Sequence, residues 1–101
     1  MEITYEQKDR HLLAKLSGEL DHHAAKLIMG KLDRLLDTAI PMQLLLDFSG
    51  VTFMDSSGIA IVMRAYRRMQ SYGGKLVVTD VPPQAKRVLL AANVHRLIQV
   101  Q

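Results

Sequence analysis

The chain has 101 residues, 49% hydrophobic and 23% charged, and a formal net charge of +3. That is the size and composition of one globular domain, residues 1–101, large enough to bury about two-thirds of the surface its unfolded chain exposes. With no cysteine it has no disulfide, thiolate chemistry or cysteine zinc site, and its longest apolar runs, such as residues 59–63, are far too short to span a bilayer.

Residues 3–5 read as a short edge strand, and residues 11–17 as a second strand with Leu12, Ala14 and Leu16 on one face. The polar link 6–10 suits a hairpin, so these two strands should pair antiparallel. Gly18-Glu19-Leu20 is expected to break the second strand. Asp21 then caps a helix over residues 22–37, whose Ile28, Leu32, Leu35, Leu36 and Ala39 form one apolar stripe. Pro41 ends that segment. Residues 43–48 carry Leu44-Leu45-Leu46 without alternation, the pattern of a strand covered on both faces, and a loop through Gly50 follows.

A second long helix over residues 56–71 should turn Ile59, Val62, Met63, Tyr66 and Met69 inward and close at Gly73-Gly74. Residues 75–79 form another strand, Pro82-Pro83 opens a third helix over 83–92 with Asn93 as a left-handed cap, and residues 97–100 add a last strand. The order ββαβαβαβ, with right-handed crossovers, predicts an α/β domain: a small, mostly parallel sheet with an antiparallel first strand.

In such a sheet the functional loops gather beyond the carboxyl ends of the parallel strands. Residues 18–21, 48–57 and 80–83 occupy those ends, so Asp21, Asp55 and Ser56 should share one edge although they are far apart in sequence. Met54-Asp55-Ser56-Ser57-Gly58 sets two hydroxyls and a carboxylate where a strand hands over to a helix. Unpaired N–H groups and the positive end of the helix dipole would tolerate a phosphate there. Ser and Asp also favour helix starts simply because they cap them.

Other chemistries fit less well. A nucleophile elbow needs glycine two residues before and after its serine, and Ser56 has Met54 and Gly58. No histidine is placed as its base, so no catalytic residue is assigned. Asp21-His22-His23 lacks the i, i+4 spacing of a helical metal pair; it reads as a cap followed by two polar first-turn residues, and no metal is expected. Arg64, Arg67 and Arg68 share an outer helix face, either solvated or ready for an acidic partner. The scattered basic residues and five aromatics do not form a stacking platform for nucleic acid. The first residues lack the basic start and apolar core of a signal peptide, so the protein is expected in the cytoplasm without a membrane partner.

Two segments, Gly18-Glu19-Leu20-Asp21-His22-His23 and Phe53-Met54-Asp55-Ser56-Ser57-Gly58, resemble the two signature segments of anti-sigma factor antagonists, the bacterial STAS family. The similarity continues through Arg64-Ala65-Tyr66, Gly73-Gly74-Lys75 and Lys86-Arg87, and the Glu19–His23 run is closer to the sporulation branch than to the general-stress branch. The resemblance implies a STAS fold and a regulatory protein that is not itself an enzyme; family members commonly continue past the last strand into a further helix, whereas this sequence stops at Gln101. It implies that the unphosphorylated chain binds an anti-sigma factor that is also a serine kinase, releasing a sigma factor for transcription. The kinase, which binds the ATP, would phosphorylate Ser56, and a PP2C-type phosphatase would reverse this; the chain itself would need no cofactor. Asp21, His22, His23, Asp55, Ser56, Ser57 and Gly58 are the implied partner surface, with Asp21 and Asp55 shaping its electrostatics and Ser57 supplying a cap or supporting hydroxyl. The other reading is a STAS docking subunit of a lipid- or membrane-transport assembly, with no phosphate cycle.

Overall fold

Two residues, Asp9 and Arg10, turn the chain between β1 (Glu2–Lys8) and β2 (His11–Leu20) in the computed structural model, which describes residues 1–101. The two strands pair antiparallel, as their polar link predicts. The chain continues through α1 (His22–Ala39), β3 (Gln43–Met54), α2 (Ser57–Ser71), β4 (Lys75–Thr79), α3 (Pro83–Ala91), a single 3-10 turn and β5 (Gln99–Val100). The five strands lie in sequence order, β2 to β5 mutually parallel, which is the sheet expected from ββαβαβαβ.

Each right-handed crossover in a sheet that grows in one direction delivers its helix to the same face. Accordingly Ile28, Leu32 and Leu36 of α1, Ile61, Val62 and Met69 of α2 and Leu89 of α3 join one apolar core against Leu12, Leu16, Leu44, Leu46 and Phe48 of the sheet. The opposite face carries no helix. There Leu13, Leu45 and Val77 line up across β2, β3 and β4 and stand apart from that core. The Leu44-Leu45-Leu46 run therefore does not mark a strand buried on both sides. Leu45 is only half-buried.

Both strands reach further than their sequences suggest. Gly18 does not end β2; its φ of +105° absorbs a local irregularity and the strand runs on to Leu20. β3 passes through Gly50 to Met54 instead of looping out after Phe48. Ten residues of β2 face twelve of β3, because the register slips between Lys15 and Ser17 and again between Gly18 and Glu19. Each slip adds a residue to β3, as a bulge does. The inward positions of β3 change phase accordingly, from Leu44, Leu46 and Phe48 to Val51 and then Met54.

The helices are placed as expected, with adjusted faces. α1 extends to Ala39 and stops at Ile40, whose φ of 42° is left-handed. On α2 the buried stripe is Gly58, Ile61, Val62, Ala65 and Met69, while Ile59, Met63 and Tyr66 are half-buried at its margin. The three-arginine face is divided. Arg64 binds both carboxylate oxygens of Asp33 on α1, its Nε at 3.0 Å and its Nη2 at 2.7 Å, and Arg68 bonds Asp33 and Asp37. The hydrogen bond from Arg64 holds the Asp33 carboxyl below its usual range, and Asp33 in turn raises Arg64. Two of the three arginines thus tie α2 to α1, which leaves Arg67 as the one with no ion pair to offer an acidic partner.

Candidate functional site

The carboxyl ends of β2 and β3 leave the sheet side by side. Leu20 is opposite Met54, and the Asp55 N–H donates to the Leu20 carbonyl at 3.3 Å. Asp21 and Asp55 are the next residues out, so the two acidic residues meet at one edge as the strand order predicted. Each then starts a helix. Asp21 accepts from the Ala24 N–H at 2.9 Å, and this bond draws its carboxyl below the ordinary value. Asp55 accepts from the Ser57 N–H at 2.8 Å, and its carbonyl takes the Gly58 N–H at 3.1 Å.

The second of these bonds decides the role of the serines. The cap of α2 is the Asp55 carboxylate, so neither hydroxyl is needed for it. Ser56 sits at the first turn with φ −62° and ψ −17°, exposed, its side chain making no cap bond. Ser57 is half-buried and contributes its N–H to the turn; its hydroxyl does not cap. Gly58 is buried where a Cβ would overlap the Met54 side chain and stand 3.2 Å from Leu20 Cδ2, so the absence of a side chain lets α2 lie directly on the two strand ends. His22 and His23 are exposed on the first turn of α1 with ring centroids 6.1 Å apart. No three His, Asp or Glu side chains converge on a cation position.

A model of the STAS domain matches residues 2–101. The chain belongs to the STAS family. An anti-sigma F factor antagonist of Paenibacillus polymyxa is 28% identical over 100 residues, spanning 99% of this chain and 86% of that protein. In fold, this STAS domain matches the anti-sigma factor antagonist SpoIIAA in its unphosphorylated form with a TM-score of 0.84 at 24% identity, covering 99% of this chain and 88% of that one. The phosphorylated form of Bacillus SpoIIAA matches with a TM-score of 0.75 at 24% identity, over 99% of this chain and 91% of that one.

Two residues of this STAS domain's edge escaped the sequence reading. Pairing between β3 and β4 stops at Asp47 and Thr79, so the last residues of β3 have no strand on that side. Gln84 of α3 takes the place of one: its Oε1 accepts from the Met54 N–H at 2.9 Å and its Nε2 donates to the Met54 carbonyl at 2.8 Å. A primary amide presents the same donor and acceptor as a peptide group, and no periodicity announces such a use. Removing it in Gln84→Ala leaves two backbone groups unpaired and should cost about 2 kcal/mol, with loss of hydrogen-exchange protection at the Met54 amide. Denaturant unfolding and exchange at that amide measure the two effects. The second residue is Phe53, 45% exposed beside Glu19 on the same edge; the alternation of β3, shifted by its bulges, turns this ring outward.

The edge is a surface and not a pocket. The molecule's two clefts lie along β1 and include none of Asp21, Asp55, Ser56 or Phe53. No helix is long and apolar enough to cross a membrane.

Proposed function

We propose that this STAS domain is a cytoplasmic anti-sigma factor antagonist whose unphosphorylated form binds an anti-sigma factor that is also a serine kinase, freeing a sigma factor. Phosphorylation of Ser56 by that kinase, from ATP the kinase holds, ends the interaction, and a PP2C-type phosphatase restores it. One observation carries this reading: Ser56 is exposed at a helix N-terminus with an uncommitted hydroxyl, because Asp55 supplies the cap. A hydroxyl in that position can accept a phosphoryl group without surrendering a bond the fold needs, and the helix start favours the charge it brings.

The surroundings support a macromolecular partner. Asp21, His22, His23, Asp55 and Ser57 share the open edge with Ser56, Gly58 holds α2 against the strand ends beneath it, and the exposed Phe53 ring offers the kind of aromatic anchor that concentrates binding energy at interfaces. The Paenibacillus polymyxa relative carries the antagonist name, and SpoIIAA, whose fold this chain shares, exists in unphosphorylated and phosphorylated forms.

The test is intact-mass and peptide-mapping spectrometry after incubation with ATP and the native anti-sigma kinase, with Ser56→Ala in parallel. One phosphate on Ser56, absent from the variant, is the expected result. An active kinase that leaves Ser56 unmodified would sink the proposal and favour a docking module of a transport assembly.

A further inference from the structure

The outer edge of β1 is the one long free edge of the sheet. β5, at the other end, has two residues, whereas β1 has seven and pairs with β2 without a register slip. It contains no proline, and its residues from Thr4 to Lys8 are all exposed, Tyr5 by 61%. Natural sheets usually blunt such an edge, and one left long and regular is where strands add.

The hairpin shows which groups that edge presents. Lys8 and His11 are partners across a two-residue turn, which makes them a hydrogen-bonded pair. Bonded and non-bonded pairs alternate along an antiparallel ladder, so Glu6, Thr4 and Glu2 also bond β2. Ile3, Tyr5 and Gln7 turn their N–H and C=O groups away from it. The side chains of Ile3 and Tyr5 lie on the α1 side, where they line a cleft with Lys31, Arg34, Leu35 and Thr38. The charged residues Glu2, Glu6 and Lys8 alternate with them and occupy the open face.

A second β1 can meet these outward groups antiparallel, with two-fold symmetry, in three registers that pair at least five residues of this strand. Centred on Thr4, the contact sets Glu2 opposite Glu6 twice. Centred on Glu6, it sets the two Glu6 carboxylates together. Centred on Tyr5, it pairs all seven residues, places Glu2 opposite Lys8 at both ends, and brings the two Tyr5 rings together on the α1 face. Opposite charges directly across a ladder stabilise it and like charges oppose it. We infer that the chain self-associates through β1 in the register centred on Tyr5, joining two sheets into one of ten strands, twice the five of a single copy. The contact is one strand wide, in the weak, transient class of interfaces. It uses none of the residues around Ser56 and stands independently of the proposal made for them.

Sedimentation equilibrium of the full chain at low ionic strength, from about 10 µM to about 1 mM, spans the range expected of so small a contact. The apparent mass should climb from 11.4 kDa towards twice that value. Lys8→Glu puts Glu opposite Glu at both ends and should weaken association on the order of tenfold, while the exchange Glu2→Lys with Lys8→Glu should restore it to within about twofold of the parent. Tyr5→Pro should abolish association and keep the fold, since the N–H it removes points away from β2. Circular dichroism and thermal melting verify that fold. A mass that stays at 11.4 kDa throughout, or a dimer that neither Lys8→Glu nor Tyr5→Pro affects, would overturn the inference.

Discussion

On the function proposed above, Ser56→Glu should weaken binding to an anti-sigma kinase between about 10- and 100-fold, with little change in the stability of the free chain. One added unit of negative charge at roughly 5 Å from another costs about 3 kcal/mol at an effective dielectric near 20, which corresponds to a little over 100-fold in affinity. Ser56 is exposed and flanked by Asp21 and Asp55, so solvent and salt screen part of that cost in the free protein, and the lower figure applies where screening persists in the complex. In the free chain the new carboxylate sits at the first turn of α2, where a negative charge is worth about 0.3–1 kcal/mol to the helix. The melting temperature should therefore hold or rise by up to about 5 °C. Calorimetric titration against the kinase and a thermal melt of the same sample separate the two effects. Undiminished affinity would place the partner surface elsewhere, and a large fall in melting temperature would mean that Ser56 supports the fold.

Phe48→Ala should be the most destabilising truncation on the sheet, removing about 3–5 kcal/mol. Phe48 is fully buried and is the largest of the side chains wholly sealed in the core. It lies within the first slip in register, where Phe48 and Ser49 together stand opposite Leu16 of β2. Neighbours on a regular strand can settle partway into a void, but here the bulge holds that stretch of β3 in place. For a domain whose total stability is on the order of 5–15 kcal/mol, this is a large share, and the melting temperature should fall by roughly 15–30 °C. Urea unfolding with an unchanged m-value checks it. A loss under about 1.5 kcal/mol would show that the core collapses around the gap. Phe48→Leu, with most of the volume kept, should lose well under half as much.

The same stretch of β3 shows how far the sequence can be read. Element order, the antiparallel hairpin and the convergence of Asp21 and Asp55 all follow from patterns that obey one period at a time. β3 does not obey one period. Its two added residues shift the buried phase twice within one strand, so its second half looks like a loop until β2 is seen beside it. The inward stripe of α2 was displaced for a related reason. Ile59, Met63 and Tyr66 are as apolar as Ile61 and Ala65, and only the close approach at Gly58 selects which arc faces the sheet. Arg64 and Arg68 read as a free basic face because Asp33 and Asp37 belong to another helix, 31 residues away in each case. Gln84 was invisible for the same reason: its partners are backbone atoms 30 residues distant. In the site, the residue types were legible and their division of labour was not. Which of Asp55, Ser56 and Ser57 caps α2 depends on dihedral angles that three adjacent capping residues leave open.

That division of labour also bears on the lifetime of the protein. If Ser56 is phosphorylated as proposed, the helix start stays secured by the Asp55 carboxylate and the added charge favours it, so the modified chain should be folded at least as fully as the unmodified one. Proteases and chaperones, which sense the unfolded fraction, would then clear the modified chain no faster than the unmodified one. Under the proposed cycle of kinase and phosphatase, phosphorylation would then inactivate the protein without hastening its removal. Had the Ser56 hydroxyl itself closed the helix, each phosphorylation would also have altered how much protein remained.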